Sequence, residues 1–213
     1  MSTSFNFADL SVAQKYKLLC ASVIPRPVAW ITSVSKDGVV NAAPYSFFNV
    51  FSEEPAIAIV GLNRKADGSY KDTLVNAEAT NSFTINLADT ALAKVMVDTA
   101  AAFPAETSEP AATGLKLADG IHVPAPRLAD APVALECTLY EIKRVTDERH
   151  LLMGEVQGLV ARDGLFDPQT LRLSVPHWDP VARLYAANYA SLSEPYEFAI
   201  PDWKTVTPAE TGG

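Results

Sequence analysis

The sequence predicts a mainly β fold with added helices, closed as a small antiparallel barrel. Three observations carry this. Stretches rich in β-branched or alternating apolar residues outnumber stretches with helical spacing. Turn chemistry separates them at Lys36-Asp37-Gly38, Thr146-Asp147-Glu148 and Asp163-Gly164. The 213 residues suit one elaborated domain over 1–213, and an apolar content of 48% supplies its core. Such hairpins close most simply as a barrel, which removes exposed sheet edges.

Each element follows in order. Leu10, Val12, Tyr16 and Leu19 recur at helical spacing, so Asp9–Cys20 reads as a helix within an N-terminal extension, residues 1–20. Pro25 and Pro27 then force extended backbone. Val28–Ser35 and Val39–Ala43 read as a hairpin about Gly38, and Ala56–Leu62 as a buried strand. A polar loop, Asn63–Tyr70, turns at Asp67-Gly68 and leads into a helix over Lys71–Ala79. Phe83–Leu87 is a strand and Asp89–Ala102 a helix. Pro104–Pro126 is Pro- and Ala-rich and too long for an ordinary loop, which suggests a lid or an interface arm. Val133–Val145 and Arg149–Arg162 form a long hairpin whose alternation slips near Tyr140, the mark of a bulge. The Pro-rich tail, 166–213, carries one short helix near Val181–Ala187 and packs on the barrel or on a partner subunit.

Composition excludes several functions. Acidic residues outnumber basic ones by 25 to 17, and a net charge of −8 repels a nucleic-acid polymer. Cys20 and Cys137 lie too far apart for a redox pair or a zinc knuckle and suit a reducing cytoplasm. Residues 1–10 carry no signal-peptide pattern, and no run approaches the ~18 apolar residues of a membrane span. The glycines form neither a dinucleotide fingerprint nor a P-loop, and no Ser sits in GxSxG. His122, His150 and His177 are isolated, so no metal site or catalytic triad is predicted.

Three segments carry what chemistry there is. In Pro25-Arg26-Pro27-Val28-Ala29-Trp30-Ile31-Thr32-Ser33, two prolines fix an arginine, which suits a phosphate or equally a surface Arg at the start of a strand. Trp30 fits the core better than a ligand stack. In Asn41–Ser52, four aromatics alternate with Ser and Asn, as the wall of a planar heteroaromatic ligand or as a core corner where a strand leaves the sheet. In Ser69-Tyr70-Lys71-Asp72-Thr73, a loop enters a helix. That is an anion site with Lys71 and Thr73 as donors, or an ordinary end capped by Ser69 or Asp72. Asp72 itself opposes a phosphate. Together the parts suit a flat ring with a phosphate tail, FMN before pyridoxal phosphate.

These three segments, in this order, resemble the flavin reductase-like family of FMN-binding split barrels, its flavoredoxin branch. Ala131–Cys137 and Pro180–Tyr189 resemble it too, and the likeness spans roughly residues 15–195. The resemblance implies a six-stranded antiparallel split β-barrel, a homodimer, and noncovalent FMN near the subunit interface. It implies that Ser46, Phe47, Phe48 and Asn49 line the flavin ring. It places Arg26, Thr32, Ser33, Lys71 and Thr73 about the ribityl phosphate. The family's Gly-Gly before the tail tyrosine is missing, since Leu184-Tyr185-Ala186-Ala187 stands there. The roles of Arg183 and Tyr189 stay open.

The implied activity is NAD(P)H-dependent flavin reduction, with hydride passing from nicotinamide to flavin N5, NADH or NADPH as transient reductant and an oxygenase as a partner. That chemistry needs no protein nucleophile, which agrees with a chain that offers none. His150 is the histidine that would orient substrate, against a plain strand residue beside Arg149. The alternative function is an FMN electron carrier or flavin store. A pyridoxamine phosphate oxidase-like enzyme would need more basic residues, and a structural barrel with an empty site is the remaining reading.

Overall fold

The computed structural model describes residues 2–174, 178–192, 198–200 and 202. The chain opens with a 3-10 turn and helix α1 (Val12–Ser22). Ser11 and Gln14 cap α1 reciprocally, each side chain accepting the other's backbone N–H. Four strands follow: β1 (Ala29–Val34), β2 (Val40–Tyr45), β3 (Phe48–Glu53) and β4 (Ala56–Asn63). Next come α2 (Asp72–Thr80), β5 (Ser82–Leu87), α3 (Ala93–Asp98) and α4 (Glu109–Thr113). Short strands β6 (Leu117–Ala118) and β7 (Arg127–Leu128) precede the long hairpin β8 (Val133–Arg144) and β9 (Arg149–Ala161). The tail contributes β10 (Ala182–Arg183) and β11 (Tyr189–Ala190). No helix among the described residues is long and apolar enough to cross a membrane.

The fold class is the expected one. The main sheet is antiparallel, in the order β2-β1-β5-β8-β9-β4-β3. Its two edge strands, β2 and β3, are consecutive in the chain. The backbone bends at Ser46-Phe47, leaves β1 and joins β4, so the sheet rejoins itself through one broken strand. The sheet therefore has seven strands rather than six, because the strand begun at Val40 continues as β3 beyond the bend. The bend is pinned where Gly61 N–H donates to the Phe47 carbonyl at 2.7 Å. A β-carbon at Gly61 would lie 3.2 Å from Phe47 Cβ, tighter than an ordinary contact, so the approach favours glycine.

Alternation fills the barrel. Ala29 and Ile31 of β1, Val60 and Leu62 of β4, Phe83 and Ile85 of β5 and Leu152 of β9 meet inside, closed by Leu74 and Ala77 of α2. The opposite face of β1 carries Trp30 into a second cluster with Met96, Leu128 and Val181. Trp30 is fully buried and donates to Thr99 Oγ1 at 3.0 Å. The register of β8 and β9 slips at Leu139/Glu141, the predicted bulge beside Tyr140, and again at Glu136/Cys137.

The Pro/Ala-rich segment is no free arm over residues 121–128, because polar side chains on the outer face strap it down. Glu136, fully buried, accepts the N–H groups of Ile121 and His122. Ser82, Thr84 and Asn86 of β5 bond Ala125 and Leu128 backbone. Thr32 donates to the Pro126 carbonyl at 2.5 Å. These bonds satisfy backbone that burial would otherwise orphan.

Two expected helices differ. Asp89–Ala102 forms a 3-10 turn (Thr90–Leu92) followed by α3, which ends at Asp98. Val181–Ala187 is a hairpin rather than a helix. Arg183 pairs backbone to backbone with Arg26, both N–H···O bonds at 2.9 Å, and Ala186 adopts a left-handed φ of 49° that ends any helix.

Arg26 is the staple that joins these parts. Its guanidinium is buried, with Nη1 donating to the Cys20 and Val23 carbonyls, Nη2 to Leu184 and Nε to Ser46 Oγ. It thus fastens the end of α1, the tail hairpin and the β2–β3 bend. Arg26→Met should cost about 3 kcal/mol in urea denaturation, since several carbonyls lose their donors; a loss under ~1 kcal/mol would mean the staple is idle. A β-carbon at Gly154 would lie 2.3 Å from Phe83 Cζ. Gly154→Ala should therefore destabilise by about 1–3 kcal/mol through overpacking in the same assay.

Candidate functional site

A cleft of about 760 Å³ lies between β2, the loop before α2 and the segment after α3. That is the size of small-molecule sites, about 300–1,000 Å³. Asn41, Pro44 and Tyr45 of β2 form one wall, Lys65, Lys71 and Asp72 the charged end, and Phe103 and Glu109 the far side. Two of the three sequence segments therefore meet here, the aromatic one through its first residues and the helix-start one through Lys71 and Asp72.

The start of α2 is open. Lys71 occupies the N-cap position, and no side chain caps the helix. Ser69, a predicted cap, instead donates to Asp67 Oδ1 at 2.6 Å, and Asp72 binds Lys65 Nζ at 2.7 Å. The first-turn N–H groups and the positive end of the helix dipole thus lack a side-chain acceptor. Lys71 Nζ makes no hydrogen bond or ion pair among the described residues.

Beneath this end lies a bonded triad. Asn41 Nδ2 donates to Thr73 Oγ1 at 3.0 Å, and the Tyr45 hydroxyl lies 2.9 Å from the same oxygen. Burial pushes the Tyr45 phenol far above its usual range, so it stays a neutral hydrogen-bond partner. Glu109 Oε2 accepts the Ala42 N–H at 3.0 Å and so satisfies the edge of β2 that faces away from β1. Burial raises the Glu109 carboxyl above its ordinary value, against the Ala42 N–H, which favours the ion.

The nine predicted site residues separate into groups. Lys71 lines the cleft. Thr73 is fully buried below it, its hydroxyl held by Asn41 and Tyr45. Ser46, Phe47, Phe48 and Asn49 follow Tyr45 into the bend. Phe48 packs on the barrel core, while the exposed Phe47 ring faces Tyr16 at 6.2 Å and the Arg149 guanidinium at 5.4 Å. Arg26, Thr32 and Ser33 stand apart from the cleft. Arg26 is committed to carbonyls and to Ser46, and it lines a smaller apolar groove of about 290 Å³. Thr32 is committed to the Pro126 strap, and Ser33 accepts from Asn76 of α2 at 3.2 Å. None of the three offers an open donor to a phosphate in the cleft, because each side chain is buried against protein.

His150 is neither on the surface nor in the cleft lining. It is buried, and its ring meets Tyr70 edge-on at 5.0 Å. Arg183 stacks on Tyr189 at 4.4 Å within the tail hairpin and bonds Ala186. His177 lies outside the described residues. Sequence reasoning missed Lys65 and Glu109. Lys65 pairs with Asp72 across a glycine turn, where no periodicity points, and Glu109 sits in a stretch that reads as irregular.

A lysine with no partner among the described residues, beside a helix start that no side chain caps and an aromatic wall, fits a phosphate-bearing heteroaromatic. Comparison with known proteins gives the family. The flavin reductase like domain profile matches residues 21–187. An uncharacterized protein of Deinococcus radiodurans is 38% identical over 189 residues, covering 85% of this chain and 82% of its own. A solved 2-nitrobenzoate 2-nitroreductase of Pseudomonas fluorescens is similar at TM-score 0.88 and 34% identity, covering 98% of this chain and all of its own (100%). Nitrilotriacetate monooxygenase component B of Bacillus cereus follows at TM-score 0.86 and 33% identity, covering 93% and 99%. The chain belongs to the flavin reductase-like family of split-barrel oxidoreductases.

Proposed function

We propose that the chain is an FMN-dependent NAD(P)H:flavin oxidoreductase. The observation that carries this reading is the uncapped start of α2, with Lys71 unpaired, opening on the cleft walled by Tyr45. FMN is preferred to FAD because Lys71 at the start of α2 offers one cation for one terminal phosphate. When bound, the flavin supplies the hydride chemistry, accepting two electrons from a nicotinamide.

The protein's part is to bind and orient. Lys71 and the first-turn N–H groups of α2 hold the phosphate. Asn41 and Tyr45 fix Thr73, and with it the turn that carries Lys71. The bend Ser46–Asn49 flanks the ring, and Arg26 keeps that bend in place through Ser46. Thr32 and Ser33 serve by holding the surrounding backbone, Thr32 the strap and Ser33 the helix α2.

A homodimer belongs to this reading. Val12 (84% exposed) on α1, Val23 just after it, and Val50 and Phe51 (70%) on β3 leave large apolar side chains in water, which a second copy would cover. An oxygenase partner is proposed from the likeness to a monooxygenase component B. The free thiols of Cys20 and Cys137 suit a reducing cytoplasm. A second reading, reduction of nitroaromatics at the same flavin, is favoured by the 2-nitrobenzoate nitroreductase likeness.

The reading predicts flavin absorbance bands that bleach on anaerobic addition of NADH or NADPH. Bands that persist with both would favour the carrier, and a protein that takes up no FMN would remove the flavin. Bleaching that is reversed by 2-nitrobenzoate would support the second reading. Lys71→Ala should weaken FMN about 10–100-fold, the loss of one charge-assisted bond. Sedimentation at micromolar concentration should give a dimer, and a monomer there would contradict the interface.

A further inference from the structure

Asp72 poses a problem for any phosphate at this end of the cleft, since it lies next to Lys71 and lines the same wall. Its Oδ1 meets Lys65 Nζ at 2.7 Å, and both side chains are about three-quarters covered, at 25% and 22% exposure. A pair that sheltered is screened less than a surface one.

The loop holds Lys65 in place. Lys65 N–H donates to the Ser69 carbonyl at 2.8 Å, and Gly68 N–H returns to the Lys65 carbonyl at 3.0 Å. Gly68 takes a φ of 83°, which glycine permits. Arg64 locks the turn from outside, bonding the Asp147 and Gly68 carbonyls and the Tyr70 hydroxyl. The charged groups facing the cleft are thus Lys65 and Lys71 against Asp67, Asp72 and Glu109. With Lys65 matched to Asp72, Lys71 is left as a cation beside the helix start. Without Lys65, Asp72 would cancel it.

We propose that Lys65 is a positioning residue of the phosphate site: it neutralises Asp72, and so determines that this cleft accepts a phosphomonoester. The proposal rests on the reading of Lys71 as the phosphate ligand. Lys65 acts through Asp72 rather than by touching the ligand.

The test compares FMN with riboflavin, which has the ring but no phosphate. Kd is read from quenching of flavin fluorescence, with melting temperature as a check on folding. Lys65→Met should weaken FMN about tenfold and leave riboflavin within about twofold, since only the charged group feels Asp72. Asp72→Asn, which keeps Lys65 and frees its charge, should bind FMN as tightly as wild type or more tightly. The double variant should recover to within about threefold of wild type. Equal loss of FMN and riboflavin in Lys65→Met would overturn the proposal, as would a double variant as weak as Lys65→Met. Wild-type protein that binds riboflavin but gains nothing from the phosphate would overturn the Lys71 reading beneath it. Binding of neither flavin would overturn the flavin assignment itself.

Discussion

The bend at Ser46-Phe47 is the constraint on which the rest depends. A seven-strand order whose two edges are consecutive in the chain can close only if the backbone turns sharply between them. The Gly61 N–H bond to Phe47, 2.7 Å long, holds that turn, and the missing side chain at Gly61 makes room for it. Closing the barrel there also opens it. Before the bend, β2 has no strand on its outer edge. The Ala42 N–H is taken by Glu109, a carboxylate from the far wall of the cleft. The same break that completes the core therefore creates the concave surface beside it.

Electrostatics then decides what the surface can hold. The chain is acidic overall, at −8, and the cleft shares that bias through Asp67, Asp72 and Glu109. A net negative cleft rejects phosphate unless charge is arranged locally. The arrangement consists of a helix start that no side chain caps, a lysine without a partner among the described residues and a second lysine spent on the offending aspartate. Glu109 adds a pH dependence. Burial raises its carboxyl, so its ionisation disfavours the folded wall as pH rises above the ordinary carboxylate range, while at low pH the folded and unfolded chains are both protonated and the cost vanishes.

Much of the fold was legible in the sequence because local chemistry and tertiary structure agree. Lys36-Asp37-Gly38 turns where Gly38 has φ 82°, and the slip at Tyr140 marks a real bulge. The failures share one cause, which is long-range pairing. Val181–Ala187 has helical apolar spacing, but its backbone finds Arg26, far away in sequence, and ladder bonds outweigh propensity. Phe48–Glu53 reads as an aromatic corner because its strand partner lies beyond a second turn. Arg26, framed by prolines, looks like a ligand arginine, yet its acceptors are carbonyls of Cys20, Val23 and Leu184. Of the cleft lining, Lys71 was legible; Tyr45 lines it where Ser46, Phe47, Phe48 and Asn49 were expected, and Lys65 and Glu109 were not legible, since each meets a partner that only the fold supplies.

The most direct test of the account is hydrogen–deuterium exchange of the full chain with and without FMN. The split-barrel cleft should gain protection in two stretches, 41–49 and 63–73, with little change at 25–28 and 178–192 around the smaller groove. Protection confined to that groove, or spread evenly over the barrel, would contradict a flavin site built at the bend and the start of α2.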